Sequence, residues 1–112
     1  MANYQTVTAV KLGQAALTAT VAVIYTTPAL SKTYVKQIDI CNTTGGTLTV
    51  NVHLVPVSGT AGTANAIYYT FSVAANSVLQ WKGIQVMNAG DTLQAKGSST
   101  GLTLTASGGE AV

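Results

Sequence analysis

The chain has 112 residues, a formal net charge of +2 and only 7% charged residues, against roughly 25% in an ordinary soluble domain. Its five lysines are scattered and it has no arginine, so the planar cation that recognises phosphate and guanine is missing, and nucleic acid is disfavoured as a partner. Threonine occurs 18 times. A chain so poor in charge covers its surface with hydroxyl groups or packs it against neighbours, which favours a structural assembly.

The length, the apolar segments and the cysteine count limit the number of domains and the kinds of protein that this chain can be. We predict a single domain over residues 1–112, because this length leaves little room for a second one. The most apolar segment, Leu17 to Tyr25, is too short to cross a bilayer as a helix, so no membrane partner is expected. The N-terminus lacks the basic and apolar regions of a secretory signal, and we expect synthesis in a cytoplasm without export by that route. Cys41 is the only cysteine, which excludes a disulfide within the chain.

Apolar residues at every second position predict strands from the beginning of the chain. The opening segment, Tyr4 to Leu12, is strand-like, and residues 1–12 are a candidate N-terminal arm or interface strand that adds to the edge of a neighbour. A second strand is predicted over Leu17 to Tyr25, ending before Pro28 because proline cannot donate to a ladder.

The middle of the chain has the clearest alternation. Residues 34–41 and 48–54 are predicted strands, and the turn at 42–46 contains two glycines, so the two strands are predicted to form a hairpin. Residues 58–65 are small and polar and form the longest predicted loop.

Strands are also predicted over 67–73, 78–82, 92–95 and 102–106, with a last hairpin turn at 97–101. About eight short strands without a helical period predict an all-β fold, namely an eight-stranded antiparallel β-sandwich of the jelly-roll type. The residues predicted to face its interior are Val21, Val23, Ile38, Ile40, Val50, Val52, Leu54, Tyr69, Phe71, Leu79, Trp81, Leu93, Leu102 and Leu104. Ile24, Val55 and Val57 are predicted to face outward.

Few residues of the chain are candidates for catalysis or metal binding. His53 is the only histidine; a metal site would need Cys41, Asp39 or Asp91 as co-ligands, and no pair among them has the short spacing of a zinc motif. We therefore interpret His53 as a solvated or hydrogen-bonded surface residue. Cys41 and His53 could be neighbours across the hairpin as a nucleophile and its base. However, Cys41 lies within a predicted strand with no helix N-terminus or basic neighbour beside it, and an inert thiol is the preferred interpretation.

The remaining polar and aromatic residues fit structural roles. Asp39 and Asp91 are too isolated for a carboxylate pair, and Asp91 is typical of a turn. Tyr68, Tyr69 and Trp81 could form a carbohydrate platform, yet Tyr69 and Trp81 are predicted to face the core and only Tyr68 to point outward. No catalytic, cofactor-binding or metal-binding residue is predicted, and we expect a protein that is not an enzyme.

Several segments resemble a small family of virion proteins of tailed bacteriophages, over roughly residues 20 to 107. The segments that carry the resemblance are Ile24–Ala29, Tyr34–Thr43, Val50–Pro56, Ala64–Tyr69, Val73–Ser77 and Ala89–Ala95. In that family a tyrosine-threonine-x-proline segment precedes a strand that ends in Cys-Asn-Thr, followed by a His-Leu-Val-Pro-like strand, a glycine-rich loop and an Ala-Gly-Asp-Thr turn. These motifs identify a scaffold and no active site.

The resemblance implies a structural protein of the virion, assembled in the host cytoplasm. The first interpretation is a capsid decoration (cement) protein that binds and reinforces the assembled phage head, with the major capsid protein as partner. The alternative is a collar, tail or baseplate accessory protein that acts as an adaptor or binds a host glycan. Because longer members of that family carry further segments, we expect a stand-alone accessory protein in preference to a module of a fibre. A homo-oligomer is expected, with a trimer preferred because capsids offer three-fold sites.

Overall fold

Eight β-strands make up nearly two thirds of the computed structural model, which describes residues 6–112. The strands are β1 (Val7–Ala16), β2 (Ala22–Thr26), β3 (Lys32–Asn42), β4 (Leu48–Val55), β5 (Ala66–Val73), β6 (Val78–Met87), β7 (Thr92–Gly97) and β8 (Leu102–Ala111). The long polar loop contains a single 3₁₀ turn, Thr63–Asn65. The prediction of an all-β chain with eight strands is confirmed, although the strand predicted over Leu17 to Tyr25 begins only at Ala22.

The strands form two four-stranded antiparallel sheets. The first sheet has the order β1-β8-β3-β6 and the second has the order β2-β7-β4-β5, which is the predicted jelly-roll sandwich. The two predicted hairpins are wrong, because β3 and β4 lie in different sheets, and so do β7 and β8. A turn signal shows that the chain reverses; it does not show whether the returning strand pairs with the preceding one or crosses to the facing sheet.

The core lies between the sheets and consists mainly of aliphatic side chains. The fully buried ones from the predicted interior set are Ile38, Ile40, Val50, Val52, Leu93, Leu102 and Leu104. Three further members of that set, Leu54, Leu79 and Trp81, are partly buried and pack against this core. Period-two alternation therefore predicted the central part of the core, where β3, β4, β7 and β8 run next to one another.

Four residues predicted to be inside are exposed: Val21, Val23, Tyr69 and Phe71. Val21 precedes β2, and the pairing of β2 with β7 shifts register between Val23 and Tyr25. The pairing of β4 with β5 shifts twice, between Val50 and Val52 and again between Val52 and His53. A one-residue shift turns every following side chain to the opposite face, which accounts for Val21, Val23 and Tyr69. Phe71 still lies opposite the buried Val50 and is exposed on an edge strand.

Of the three residues predicted to face outward, one is exposed and two contact the core. Val57 is exposed as predicted, but Val55 is buried and Ile24 packs against the core. Ile24 lies inside the register shift of β2, which lets both Ile24 and the adjacent Tyr25 contact the core.

The side chain of Asn42, at the end of β3, holds three parts of the chain together. Its Nδ2 donates to the carbonyls of Gly46 and Val73, each at 2.9 Å. Its Oδ1 accepts hydrogen bonds from the backbone N–H of Thr44 at 2.9 Å and from the Thr44 hydroxyl at 2.7 Å. With 0% of its surface exposed, Asn42 is a polar core residue whose hydrogen-bonding capacity is fully used.

The candidate N-terminal arm lies within the chain's own sandwich where it is described. Val7–Leu12 belongs to β1, which pairs with β8 from Val7 opposite Ala111 to Ala16 opposite Thr103; Tyr4 lies outside the described residues. The described part of the segment is thus paired within its own domain. Because β1 is an edge strand of the first sheet, a role for it at an interface stays a prediction and would use its other, unpaired edge.

Candidate functional site

His53 is a buried anchor for the loop that follows β4. It is 3% exposed, so its interpretation as a surface residue is wrong, whereas the hydrogen bonding is as predicted. Its Nδ1 lies 3.0 Å from the carbonyl oxygen of Gly62 and 3.1 Å from Oδ1 of Asn65. Asn65 Oδ1 also accepts from the backbone N–H of Gly62, while Asn65 Nδ2 donates to the carbonyl of Thr60. Both atoms facing Nδ1 are therefore acceptors, and the proton of the neutral ring sits on Nδ1.

Cys41 is separated from His53 by the architecture. It lies in β3 of the first sheet, opposite Val78 of β6 and Thr103 of β8, and it is half-buried. His53 lies in β4 of the second sheet, so the expectation that the two could meet across a hairpin is wrong. Within residues 6–112, no three His, Cys, Asp or Glu side chains come together in a group that could hold a metal ion.

The two aspartates have separate structural contacts. Asp39 accepts hydrogen bonds from Nε2 of Gln37 at 3.1 and 2.9 Å. Asp91 accepts from the backbone N–H of Val57 at 3.0 Å and from that of Asn88 at 2.9 Å. It thereby fastens the turn between β6 and β7 to the end of β4, as expected of a turn residue.

The aromatic residues of β5 exchange the faces predicted for them. Tyr68 packs partly against the core, and its ring centroid lies 5.1 Å from that of Phe71. Burial raises the pKa of the Tyr68 phenol. Tyr69 is 57% exposed. Thr70, whose φ is +52°, follows directly, and its N–H donates to Oδ1 of Asn51. Tyr69 is therefore the most exposed aromatic side chain of this strand, ahead of Phe71 at 46%.

Tyr25, Thr33 and Glu110 form a polar cluster that sequence reasoning missed. The Tyr25 hydroxyl donates to Oε2 of Glu110 and lies 3.0 Å from Oγ1 of Thr33. Burial, followed by the hydrogen bond to Glu110, raises the pKa of Tyr25 to about 12. Tyr25 and Glu110 are 85 positions apart, so no local pattern could indicate the contact. The cluster links β2 of the second sheet to β3 and β8 of the first.

An apolar groove crosses the outer face of the first sheet. It is lined by Val7, Ala9, Tyr34, Lys36, Ile84, Gly108 and Gly109, with a volume of ≈ 560 Å³. All four strands of this sheet contribute and the second sheet does not, so the groove opens outward. Val7 is 61% exposed, Ile84 62% and Val86, which lies opposite Tyr34, 50%. A second hollow shares Ala9, Lys36 and Gly108 with the groove and extends it along β1 and β8.

A smaller polar groove lies on the outer face of the second sheet. Its lining residues are Val21, Asn51, His53, Ala61, Gly62, Tyr69 and Lys96, around a volume of ≈ 200 Å³. An adjoining hollow of ≈ 280 Å³ shares Asn51, Tyr69 and Lys96 and continues toward Ser98. No carboxylate lines either hollow, so Lys96 is the one formal charge among the lining residues. No helix within residues 6–112 has the length and apolarity needed to cross a membrane.

The comparisons with known proteins concern the fold. No protein-family model matches the chain, and no curated protein does. Among solved structures, the chain is similar to a protein of Bacillus endospore appendages, described as a family of disulfide-linked pili. The identity is 22% and the TM-score 0.51, over 100% of this chain and 94% of that one. This likeness shows the fold, and it extends over nearly the whole of both chains.

Weaker similarities are found to chains in solved structures of infectious bursal disease virus. The Gx strain matches at 14% identity and a TM-score of 0.48, over 95% of this chain and 32% of that chain. The T13 viral particle matches at 11% and 0.49, over 98% and 31%. The chain spans about a third of these virus chains, and their TM-scores lie below that of the pilus protein.

Proposed function

We propose that this protein is a non-enzymatic structural subunit that associates with copies of itself through the outer face of the first sheet. The observation that carries the proposal is the apolar groove, where aliphatic side chains of β1 and β6 are half exposed or more. Contiguous exposed apolar surface is typical of an interaction site. In a chain with 7% charged residues, little else on the surface opposes association.

A second copy of this chain is the occupant that fits the groove. The face is bordered on its two sides by β1 and β6, the edge strands of the first sheet, so a neighbouring subunit can add backbone pairing to apolar contact. The lining contains a single lysine, Lys36, and no carboxylate, so an uncharged, apolar partner surface suits it. The likeness to a pilus protein over 94% of that chain's length supports the view that a domain of this size can serve as a whole assembling subunit.

The specific form that we propose first is a capsid decoration protein of a phage head, held there by the major capsid protein. The motif resemblance and the charge-poor composition support it, and a trimer remains the preferred oligomer because capsids offer three-fold sites. A collar, tail or baseplate protein is the alternative with the same fold. A filament subunit is the second candidate function, favoured by the pilus likeness over the full chain.

A structural role requires no chemistry of Cys41 or His53. His53 uses Nδ1 to hold its loop, and Cys41 lies in the other sheet. We therefore propose that the chain has no catalytic, cofactor or metal site. Cys41→Ser should assemble like the unaltered chain, whereas loss of a hydrolytic activity in that variant would restore the enzyme interpretation.

Electron microscopy tests the proposed function. The purified chain should form regular multimers at micromolar concentration, and particles from the source organism should contain many copies. Hundreds of copies on a shell would identify a decoration protein; rings of three, six or twelve copies would identify a collar or tail protein, and a continuous fibre would identify a filament subunit. Isolated single domains in every preparation would overturn the proposal.

A further inference from the structure

The polar groove of the second sheet contains two side chains, His53 and Asn51, whose other hydrogen bonds determine which of their free atoms donates and which accepts. His53 donates from Nδ1 into its own loop, so in the neutral ring the other nitrogen, Nε2, is an acceptor. Asn51 accepts from the N–H of Thr70 through Oδ1 at 2.9 Å, which leaves its amide NH₂ as a donor. Both residues are at least nine-tenths buried and yet line the groove, so their remaining polar atoms face it from rigid positions.

Two more side chains add an apolar surface and a charge. The exposed ring of Tyr69 presents a flat apolar face with a hydroxyl at its end. Lys96 lies in β7, directly opposite Asn51 of β4 in the ladder, and supplies an ammonium with no carboxylate among the lining residues. The groove thus combines a fixed acceptor, a fixed donor, an aromatic face and one cation in a shallow space.

This combination selects a class of ligand. An apolar molecule would leave the buried His53 and Asn51 groups unpaired, which is costly. A nucleic acid is held by several cations along its backbone, and this groove has one. A sugar ring has hydroxyl groups that both donate and accept and a C–H face that can lie on an aromatic ring. A carboxylate on the sugar would form a charge-assisted hydrogen bond with Lys96.

We propose that the polar groove binds an acidic sugar, a uronic acid residue of a glycan. A ring hydroxyl donates to Nε2 of His53, another accepts from the Asn51 amide, the ring lies on Tyr69, and the carboxylate contacts Lys96. The adjoining hollow toward Ser98 gives a neighbouring sugar a place to continue along the sheet. This site is on the opposite sheet from the self-association surface, and its function does not depend on that surface.

Saturation-transfer difference NMR tests the proposal on the full chain, because it observes the ligand and works with single subunits and assemblies alike. The probes are methyl β-D-glucuronide and, as its neutral counterpart, methyl β-D-glucoside. The glucuronide should show saturable binding that weakens as salt is raised, and the glucoside should bind about tenfold more weakly, since a hydrogen bond to a charged group contributes about 1.5–3 kcal/mol.

Variants assign the binding to the groove. Lys96→Gln should weaken glucuronide binding about tenfold, as expected for loss of one charge-assisted hydrogen bond, and bring it to the level of the glucoside. Tyr69→Ala, at an exposed position, should abolish the saturation signal while the chain stays folded. Lys82→Gln, on β6 of the first sheet, removes the same charge elsewhere and should leave binding unchanged. Absence of glucuronide binding, equal binding of the two glycosides, or equal losses in Lys82→Gln and Lys96→Gln would overturn the proposal.

Discussion

Replacing Asn42 by alanine should cost more stability than any other single polar change in this sandwich. Asn42 makes four hydrogen bonds, two as donor to Gly46 and Val73 and two as acceptor from Thr44. About 1 kcal/mol for each bond, plus the cost of burying polar groups that lose Asn42 as a partner, gives about 5 kcal/mol. For a urea m-value of about 2 kcal/mol/M, the unfolding midpoint should fall by about 2.5 M.

Two further variants show whether the loss comes from this network. Thr44→Ala removes the hydroxyl contacts to Oδ1 of Asn42 and to the backbone of Gly46 but keeps the backbone hydrogen bond from Thr44 to Asn42, so it should cost about 1–2 kcal/mol. Asn88→Ala, at an exposed turn position, should leave the midpoint within error. All chains are unfolded at one fixed concentration, because association adds stability by mass action. A loss below about 1 kcal/mol in Asn42→Ala, the value of a single ordinary hydrogen bond, would refute the reasoning.

Two other predictions concern the first sheet and the link between the sheets. Gly108→Ala should disrupt the pairing of β3 with β8 and lower the thermal midpoint markedly, because an added Cβ would overlap the backbone carbonyl of Tyr34; Gly45→Ala, with nothing within 4 Å of its added Cβ, should not. In Tyr25→Phe, the free energy of unfolding measured by urea titration should fall less steeply with pH above pH 10 than in the unaltered chain. The raised pKa of Tyr25, about 12 against 10.0, means that the unfolded chain loses this proton first, so the contribution of Tyr25 is complete below pH 10 and falls between pH 10 and 12. A midpoint unaltered in Gly108→Ala, or an equally steep alkaline decline in Tyr25→Phe, would contradict these accounts.

The sequence predicted the strands and the central core because both depend on local alternation. Ile38, Val52 and Leu104 are buried as expected, in strands that have neighbours on both sides. The faces of Val23 and Tyr69 were wrong because a register shift lies close to each of them. Such a shift is a property of the pairing between two strands, so a single strand's sequence carries little sign of it.

The candidate sites were harder to predict, since both grooves bring together strands that are distant in sequence. His53 and Lys96 meet only because β4 pairs with β7, and Val7 and Ile84 line one groove because β8 and β3 lie between β1 and β6. The composition did predict that some apolar surface would be exposed. Its position depends on the strand order, which the turn signals alone did not determine.

Sedimentation velocity of the purified chain over a micromolar concentration series tests self-association through the apolar groove most directly. Ile84→Lys places a charge in the groove at a position that is 62% exposed, and Val23→Lys makes a matched change at an exposed position of the second sheet. The unaltered chain and Val23→Lys should sediment as multiples of 11.4 kDa, whereas Ile84→Lys should sediment as a single folded subunit. A single 11.4 kDa species for the unaltered chain at every concentration, or equal dissociation of the two variants, would contradict the account.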